Sequence, residues 1–283
     1  MKRLLKCLLL TSLIFVPLIA GAKDEVKFTP KKHYPLGYVG DKGWLKGAKV
    51  FENTPKFKAV PILEEADLSK YLPPKDNQTT LGSCTGFGLA HGVYASLKKA
   101  YGKSPIFSPL FIYYNERMKE GNIYEDSGAQ IMTGILTLKE FGAATECKWP
   151  YKTEKFAIKP SAEAYEDALK HTVINAYRVN NRDGVSIKRA NSAGYCVVFG
   201  MLLGEEFEML NKNQYVYHGR KSSRDLIGGH CTIQYGYNKN GDYLCRNQWD
   251  EKVWGNKNDF IVVKAVMESK DVSDCWVIES VKQ

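Results

Sequence analysis

Apolar side chains recur every three or four residues in the stretch that follows Ser83. They are Phe87, Ala90, Tyr94, Leu97 and Tyr101. This period is that of one face of an α-helix, and serine is a common N-cap, so the pattern predicts a helix capped by Ser83. Gly86, Gly88 and Gly92 lie inside the pattern, and each costs about 1 kcal/mol relative to alanine. Close packing of another backbone against this helix would offset that cost.

Two more helices are predicted in the first half of the chain. One follows Ser108-Pro109 and continues through Met118, since serine and proline favour a helix start. The other runs near Ala129 to Phe141 and ends at Gly142, because glycine commonly terminates helices.

After about residue 172 the pattern changes to short runs of β-branched and aromatic residues. The predicted strands are 173–179, 195–203, 215–217, 230–237, 243–247 and 260–264. Residues 238–242 are typical of a hairpin turn. Helices followed by strands predict an α+β fold with two lobes and a cleft between them. The helical lobe would span about 76–172 and the β lobe about 173–283, within a main domain of 61–283.

The first 22 residues have the pattern of a secretory signal peptide. Lys2, Arg3 and Lys6 precede an apolar run from residue 7 to 19, and a small-residue cleavage signal ends at Ala22. The run is shorter than the ~20 residues that a membrane span needs. We therefore expect cleavage after Ala22 and a secreted or periplasmic protein without a membrane anchor.

Residues 23–60 are rich in Lys, Gly and Pro but also contain aromatic and aliphatic residues. These are Tyr34, Leu36, Tyr38, Val39, Trp44 and Leu45. Because free tails are poor in aromatic residues, we expect the segment to dock on the main domain. Two interpretations remain open: a compact inhibitory segment over the cleft, or a structural arm that stays attached.

The net charge of +9 changes this picture little. Three of those charges belong to the signal peptide, and the remaining basic residues are scattered among acids. Nucleic-acid binding requires a clustered basic face, so we expect no nucleic-acid partner. We expect a monomer.

Six cysteines remain after the signal peptide, at positions 84, 147, 196, 231, 245 and 275. An exported compartment permits disulfides, but their spacing does not fix a connectivity. No pair has the two-residue separation typical of zinc ligands. We expect neither a structural metal nor a cofactor.

Three candidate catalytic residues lie far apart in the sequence. Cys84 begins the first predicted helix, where the helix dipole stabilises a thiolate and lowers the thiol pKa. His230 follows two glycines at the start of a strand, and Asn247 follows the next strand. A cysteine nucleophile needs a base within hydrogen-bonding reach and a third group that orients the base. His91, seven residues after Cys84, is expected to be a core or supporting residue.

The chain resembles the papain-like cysteine peptidases over residues 67–265. The matching motifs are Gln78 with Gly82-Ser83-Cys84, Ser108-Pro109-Leu110-Phe111-Ile112-Tyr113, Trp149-Pro150-Tyr151, Gly229-His230 before Gly236-Tyr237, and Arg246-Asn247-Gln248-Trp249 before Trp254-Gly255. The resemblance implies a secreted cysteine endopeptidase that acts on protein or peptide substrates.

The resemblance also implies residue roles. Cys84 would be the nucleophile, His230 its base and Asn247 the residue that orients the base, with Trp249 covering the His–Asn bond. Gln78 would stabilise the oxyanion with the backbone N–H of Cys84. The substrate-binding residues would be Ser127, Gly128, Gly229 and Trp249.

The chain departs from the family pattern at several positions. Thr85 replaces the usual tryptophan after the nucleophile, Gln248-Trp249-Asp250 replaces Ser-Trp-Gly, and Leu81 replaces a disulfide cysteine. The long helical propeptide is absent. Two other functions therefore stay open: a catalytically silent binding protein on the same scaffold, or a cysteine-dependent acyl transferase or amidase.

Overall fold

The computed structural model describes residues 34–40 and 48–282. The α-helices in these ranges are α1 (Pro55–Lys58), α2 (Cys84–Tyr101), α3 (Pro109–Glu120), α4 (Ile131–Glu140), α5 (Ala162–Ala168), α6 (Ser186–Ser192) and α7 (Lys264–Met267). The β-strands are β1 (Ala66–Asp67), β2 (Val173–Val179), β3 (Val197–Gly204), β4 (Val216–Tyr217), β5 (Leu226–Tyr237), β6 (Tyr243–Arg246), β7 (Asp259–Val262) and β8 (Val272–Val281). The predicted signal peptide, 1–22, lies outside the described residues.

Helix α2 is the central helix and begins at Cys84. A Cβ atom added to Gly88 would lie 2.7 Å from Cys231 Sγ, and one added to Gly92 would lie 2.9 Å from a methyl group of Val198. The expected close approach of another backbone is seen at Gly86, where an added Cβ atom would lie 2.4 Å from the Pro109 carbonyl oxygen, whereas sheet side chains are the partners at Gly88 and Gly92. The predicted cap is wrong in one respect: Ser83 is the N-cap residue, but its hydroxyl makes no cap bond and instead shares a hydrogen bond with a tyrosine hydroxyl.

Helices α3 and α4 form where the sequence predicts them. The Ser108 hydroxyl accepts a hydrogen bond from the backbone N–H of Phe111 at 3.0 Å, which satisfies a donor of the first turn of α3. Gly142, just beyond α4, has a φ of +79°, the left-handed conformation that ends helices.

The strands form one sheet in the order β2-β8-β3-β5-β6-β7-β4, with β1 paired to β5. Neighbouring strands are antiparallel, except that β4 and β7 are parallel. The six predicted strands are confirmed as β2 to β7. Strand β8 was not predicted, although it lies between β2 and β3 in the interior of the sheet.

The sheet has a hydrophobic core on each face. On one face α2 packs against the sheet, and this core contains Val93, Val198 and Ile278. The other core includes Phe207 and Trp254. The structure thus confirms an α+β fold in which helices cover one face of a sheet.

Residues 48–60 pack onto the second core. Phe51 and Phe57 are buried and stack with ring centroids 4.1 Å apart. The backbone N–H of Arg178 in β2 donates to the Lys49 carbonyl at 2.9 Å. This part of the N-terminal segment is therefore joined to the β lobe.

The cysteines of the described residues are all free, at positions 84, 147, 196, 231, 245 and 275. None of the helices described above is both long enough and apolar enough to cross a bilayer.

Candidate active site

Cys84 lies at the first turn of α2 and is fully buried. Its thiol receives hydrogen bonds from the backbone of Cys231, Gly37 and Thr85. Thr85 belongs to the same helix turn, whereas Cys231 lies on β5. The thiol therefore lies beside the residue that directly follows His230.

His230 and Asn247 are joined by a hydrogen bond of 2.7 Å between Nε2 and Oδ1. Since an amide oxygen only accepts, Nε2 carries the hydrogen and Nδ1 holds the lone pair of the neutral ring. Nδ1 is buried and has no hydrogen-bond partner among the described residues. Trp249 covers this pair, with its ring centroid 4.9 Å from that of His230.

Gln78 points its carboxamide toward the same site. Its Nε2 donates to the carbonyl oxygens of Leu81 at 2.9 Å and Pro35 at 3.2 Å. Two carbonyl neighbours fix this end as the nitrogen, so Oε1 faces the other way. Gln248 donates from Nε2 to that Oε1 at 3.0 Å and to the Cys231 carbonyl at 2.8 Å. Sequence reasoning noted Gln248 only as a departure and missed this contact.

Residues 34–40, here called the cleft segment, cross the candidate site. The backbone N–H of Tyr38 donates to the Gly229 carbonyl at 3.0 Å. On the opposite side, the Ala129 N–H donates to the Gly37 carbonyl at 2.8 Å and the Val39 N–H to the Ala129 carbonyl at 2.9 Å. The cleft segment thus forms backbone hydrogen bonds with both walls.

Ser127 and Gly128, the expected substrate-binding residues, precede the residue that pairs with the cleft segment. Ala129, rather than Ser127 or Gly128, uses both its backbone N–H and its carbonyl, in a parallel bridge with Tyr38. Gly128 has a φ of +73°, and a Cβ atom there would lie 2.1 Å from the Gly37 carbonyl oxygen. Gly128 therefore provides clearance, and Ser127 lines the adjoining groove.

Trp249 also contacts the cleft segment. The ring of Tyr34 stacks on it with centroids 4.1 Å apart and planes within 6°. Beyond this contact, an open groove of about 840 Å³ continues along the cleft segment, between Ser127 and residues 205–209.

Burial controls the charge of the site while the cleft segment is in place. It raises the pKa of the Cys84 thiol to about 12 and lowers the pKa of His230 to about 4. Both groups are consequently neutral near pH 7. The lowered thiol pKa expected from the helix dipole is wrong for this state, because desolvation outweighs the backbone hydrogen bonds.

A buried carboxyl group contacts the first turn of α2, which begins at Cys84. Glu116 on α3 is fully buried and accepts a hydrogen bond from the Thr85 hydroxyl at 2.7 Å, and burial raises its pKa to about 8. Sequence reasoning missed it. The signal was its position four residues after Ile112, on the apolar face of α3.

His91 lies in the interior, where a core or supporting residue is expected. It is buried, and its Nε2 lies 2.8 Å from an Asp76 carboxylate oxygen. Within the described residues, no cluster of three His, Cys, Asp or Glu side chains is placed to hold a metal ion.

Comparison with known proteins gives a peptidase-like relative and cysteine protease structures. No family model matches the chain. An uncharacterised peptidase C1-like protein of Acanthamoeba polyphaga mimivirus is 36% identical, over 83% of this chain and 81% of its own length.

Solved structures with the same fold include xylellain, a cysteine protease from Xylella fastidiosa. It matches with a TM-score of 0.77 and 27% identity over 90% of this chain and 100% of that chain. Procathepsin B S9 from Trypanosoma congolense matches with a TM-score of 0.70 over 88% of this chain and 87% of that chain. Its identity of 14% shows a likeness of fold alone.

Proposed function

The chain belongs to the papain-like cysteine peptidases, and from that premise we propose that it is a secreted endopeptidase made as a latent precursor. Its cysteine peptidase activity would depend on Cys84, His230, Asn247 and Gln78, and the cleft segment would block these residues until it is displaced. Protein or peptide substrates would then enter the same cleft.

The chemistry begins with a proton transfer. Once the cleft segment leaves, water reaches the site and the desolvation that keeps both groups neutral is relieved. The Cys84 proton passes to His230 Nδ1, which gives a thiolate and an imidazolium. Asn247 holds the imidazole ring in this orientation through its bond to Nε2.

The thiolate then attacks the carbonyl carbon of a peptide bond. Gln78 Nε2 and the backbone N–H of Cys84 stabilise the resulting oxyanion, and one such donor is typically worth about 2.7–4 kcal/mol. His230 gives its proton to the leaving amine, which leaves an acyl-enzyme on Cys84. Water, deprotonated by His230, hydrolyses the thioester and restores the free thiol.

One observation carries the proposal: His230 donates from Nε2 to Asn247, while its lone-pair nitrogen Nδ1 has no other partner among the described residues. The Cys84 thiol lies beside Cys231, the neighbour of that histidine. A base that is oriented by an amide, and that directly precedes the residue bonded to the thiol, supports nucleophilic catalysis by cysteine.

Latency is supported by the partners of the cleft segment. The Pro35 carbonyl occupies the Gln78 amide, the Gly37 backbone bonds the Cys84 thiol, and Tyr34 covers Trp249. Residues 34–40 therefore engage the Gln78 amide, the Cys84 thiol and the Trp249 ring. Export is supported by the sequence alone, through the signal-peptide pattern of residues 1–22. Cleavage after Ala22 would give a mature chain that begins at Lys23.

Alkylation provides the test, with Cys147 as an internal standard because that thiol is exposed and free. Near pH 6, a chain that lacks residues 23–47 should label at Cys84 faster than at Cys147, since only an activated thiol is ionised there. The same chain should cleave peptides and release the acyl group to water. Equal labelling of the two thiols, without cleavage, would refute the proposal; transfer of the acyl group only to added amines would indicate a transferase.

A further inference from the structure

Residues 247–249 leave the sheet at the end of β6, and Asn258 bonds them where they do so. Asn258 directly precedes β7, and its backbone carbonyl accepts a hydrogen bond from the Asn247 N–H at 2.8 Å. Its side chain bonds both backbone groups of Trp249: Oδ1 accepts from the Trp249 N–H at 3.3 Å, and Nδ2 donates to the Trp249 carbonyl at 2.7 Å. Asn258 is fully buried.

The same amide also reaches the loop that leads to Gln78. Nδ2 of Asn258 donates to the Asp76 carbonyl at 3.3 Å. Because Nδ2 faces two carbonyl oxygens, this end of the amide must be the nitrogen, and both of its hydrogens are used. Two residues after Asp76, the Gln78 N–H donates to the Gln248 carbonyl at 2.9 Å. Asn258 therefore ties the turn of residues 247–249 to the loop that carries Gln78.

The side chains of Asn247 and Trp249 have few hydrogen bonds of their own. Asn247 Nδ2 and Trp249 Nε1 are buried and have no hydrogen-bond partner among the described residues. The Asn247 amide is bonded through Oδ1 to His230. The direction of that bond therefore depends on the backbone of residues 247–249, to which Asn258 makes the three hydrogen bonds given above.

The backbone conformation at position 258 also suits an asparagine. Asn258 has a φ of +69°, in the left-handed region, which asparagine and glycine tolerate better than other residues. Glycine would keep this conformation without the side-chain bonds. The preceding residue, Lys257, has a φ of +53° but is exposed. The two positions together allow the side chain of Asn258 to be tested apart from the backbone conformation.

We propose that Asn258 is a positioning residue for the candidate active site. By clamping the backbone of Trp249, it holds Asn247 in the orientation that bonds His230, and it fixes this turn against the loop that carries Gln78. The inference rests on the proposed peptidase function. It adds a residue that contacts neither substrate nor the reacting atoms, yet sets the geometry in which His230 accepts and returns a proton.

Kinetics in a full-length chain test this role once the cleft segment is displaced. Gly37→Val supplies that background, because a Cβ atom at position 37 would lie 1.7 Å from the Gly82 carbonyl oxygen. In it, Asn258→Gly should lower kcat for a peptide about tenfold to hundredfold with KM nearly unchanged, since small misplacements of catalytic groups cost rates of this size. Lys257→Gly, the matched control, should leave both constants unchanged.

A double variant shows which residue transmits the effect. With Asn247→Ala already present, Asn258→Gly should lower kcat much less than it does alone, because the bond to His230 that it orients is gone. Equal losses in the two backgrounds would mean that Asn258 does not act through Asn247, and would overturn the proposal.

A measurement on the latent chain, without Gly37→Val, does not depend on peptide cleavage. The hydrogen on His230 Nε2, which is bonded to Asn247, is followed by NMR with ¹⁵N-labelled histidine as it exchanges with water. Asn258→Gly should speed this exchange about twofold to tenfold, the range of one neutral hydrogen bond, whereas Lys257→Gly should not.

The outcomes separate the two proposals. If Asn258→Gly and Lys257→Gly give the same kcat, KM and exchange rate, the positioning role is overturned and the peptidase stands. A rise in KM at unchanged kcat would overturn the positioning role as well. If the Gly37→Val chain cleaves no peptide and its Cys84 labels no faster than Cys147, the peptidase fails, and the positioning role fails with it.

Discussion

The carbonyl oxygen of Pro35 accepts a hydrogen bond from Gln78 Nε2 at 3.2 Å. The amide proposed to stabilise the oxyanion is thus bonded to the chain's own N-terminal residues. Gly37 and Tyr38, which follow in the sequence, bond the Cys84 thiol and the Gly229 carbonyl. The same seven-residue stretch therefore engages the proposed oxyanion donor, the proposed nucleophile and the backbone proposed to bind substrate.

Truncation should distinguish the role of the cleft segment in latency from that of the other N-terminal residues. A chain without residues 23–47 keeps the packing of 48–60 and loses every contact of 34–40, so we expect it to fold and to cleave peptides. A chain without residues 23–33 retains the cleft segment and should stay latent. Alkylation of Cys84 against Cys147 measures the difference. Similar labelling of Cys84 in both truncated chains would contradict the prediction.

Phe51→Ala should lower the free energy of unfolding by about 3–5 kcal/mol, because the ring is fully buried in the core on the far face of the sheet. Denaturant unfolding measures this loss. The rate of Cys84 alkylation in the folded full-length chain should not change, since Phe51 lies outside the cleft segment. A loss below about 1 kcal/mol would mean that residues 48–60 are not a structural part of the domain.

Gln248→Ala should lower kcat by about tenfold with little change in KM, measured on the chain without residues 23–47. The substitution removes the bond that orients Gln78, so stabilisation of the oxyanion weakens while substrate contacts remain. Gln78→Ala should cost more, about 10²–10³ in kcat. The double variant should match Gln78→Ala, because Gln248 acts through Gln78. Gln214→Ala, an exposed glutamine, is the control; additive losses would indicate that Gln248 acts independently.

Acidification should favour displacement of the cleft segment. Burial lowers the pKa of His230 from 6.5 to about 4, so the covered state is stabilised by a neutral imidazole. As pH falls from about 6.5 toward 4, protonation favours the state in which water solvates the ring, by at most about 1.4 kcal/mol per pH unit. Labelling of Cys84 by an epoxide inhibitor should therefore accelerate in the full-length chain as pH falls.

The chain without residues 23–47 is the control for this pH dependence, because its imidazole is already solvated. It should show no comparable acceleration over the same range. If both chains respond to acid equally, His230 does not couple pH to the covered state.

The sequence contained much of this arrangement in local patterns. Ser108 before a proline, and Gly142 after an apolar stripe, marked the ends of helices because caps follow from the residue type itself. The order of Cys84, His230 and Asn247 on a helix start and two successive strands was also readable, since each lies at the edge of a periodic run.

The contacts that depend on distant chain segments were not readable. Ser83 bonds a tyrosine hydroxyl instead of capping, and Ala129 rather than Ser127 pairs with the cleft segment, because tertiary neighbours decide these bonds. The sequence also did not show that residues 34–40 lie in the cleft whereas residues 48–60 pack against the β lobe. Aromatic residues mark both parts, and only the surface they contact distinguishes them.

The cleft segment and residues 48–60 are separated in the sequence by residues 41–47 alone. A connection of this length gives the cleft segment an effective concentration in the millimolar range, whatever the amount of protein in solution. Dilution would therefore leave the uncut chain inactive as a peptidase. A single cut within residues 41–47 would make the cleft segment a separate inhibitor that binds bimolecularly, and peptidase activity would then rise on dilution.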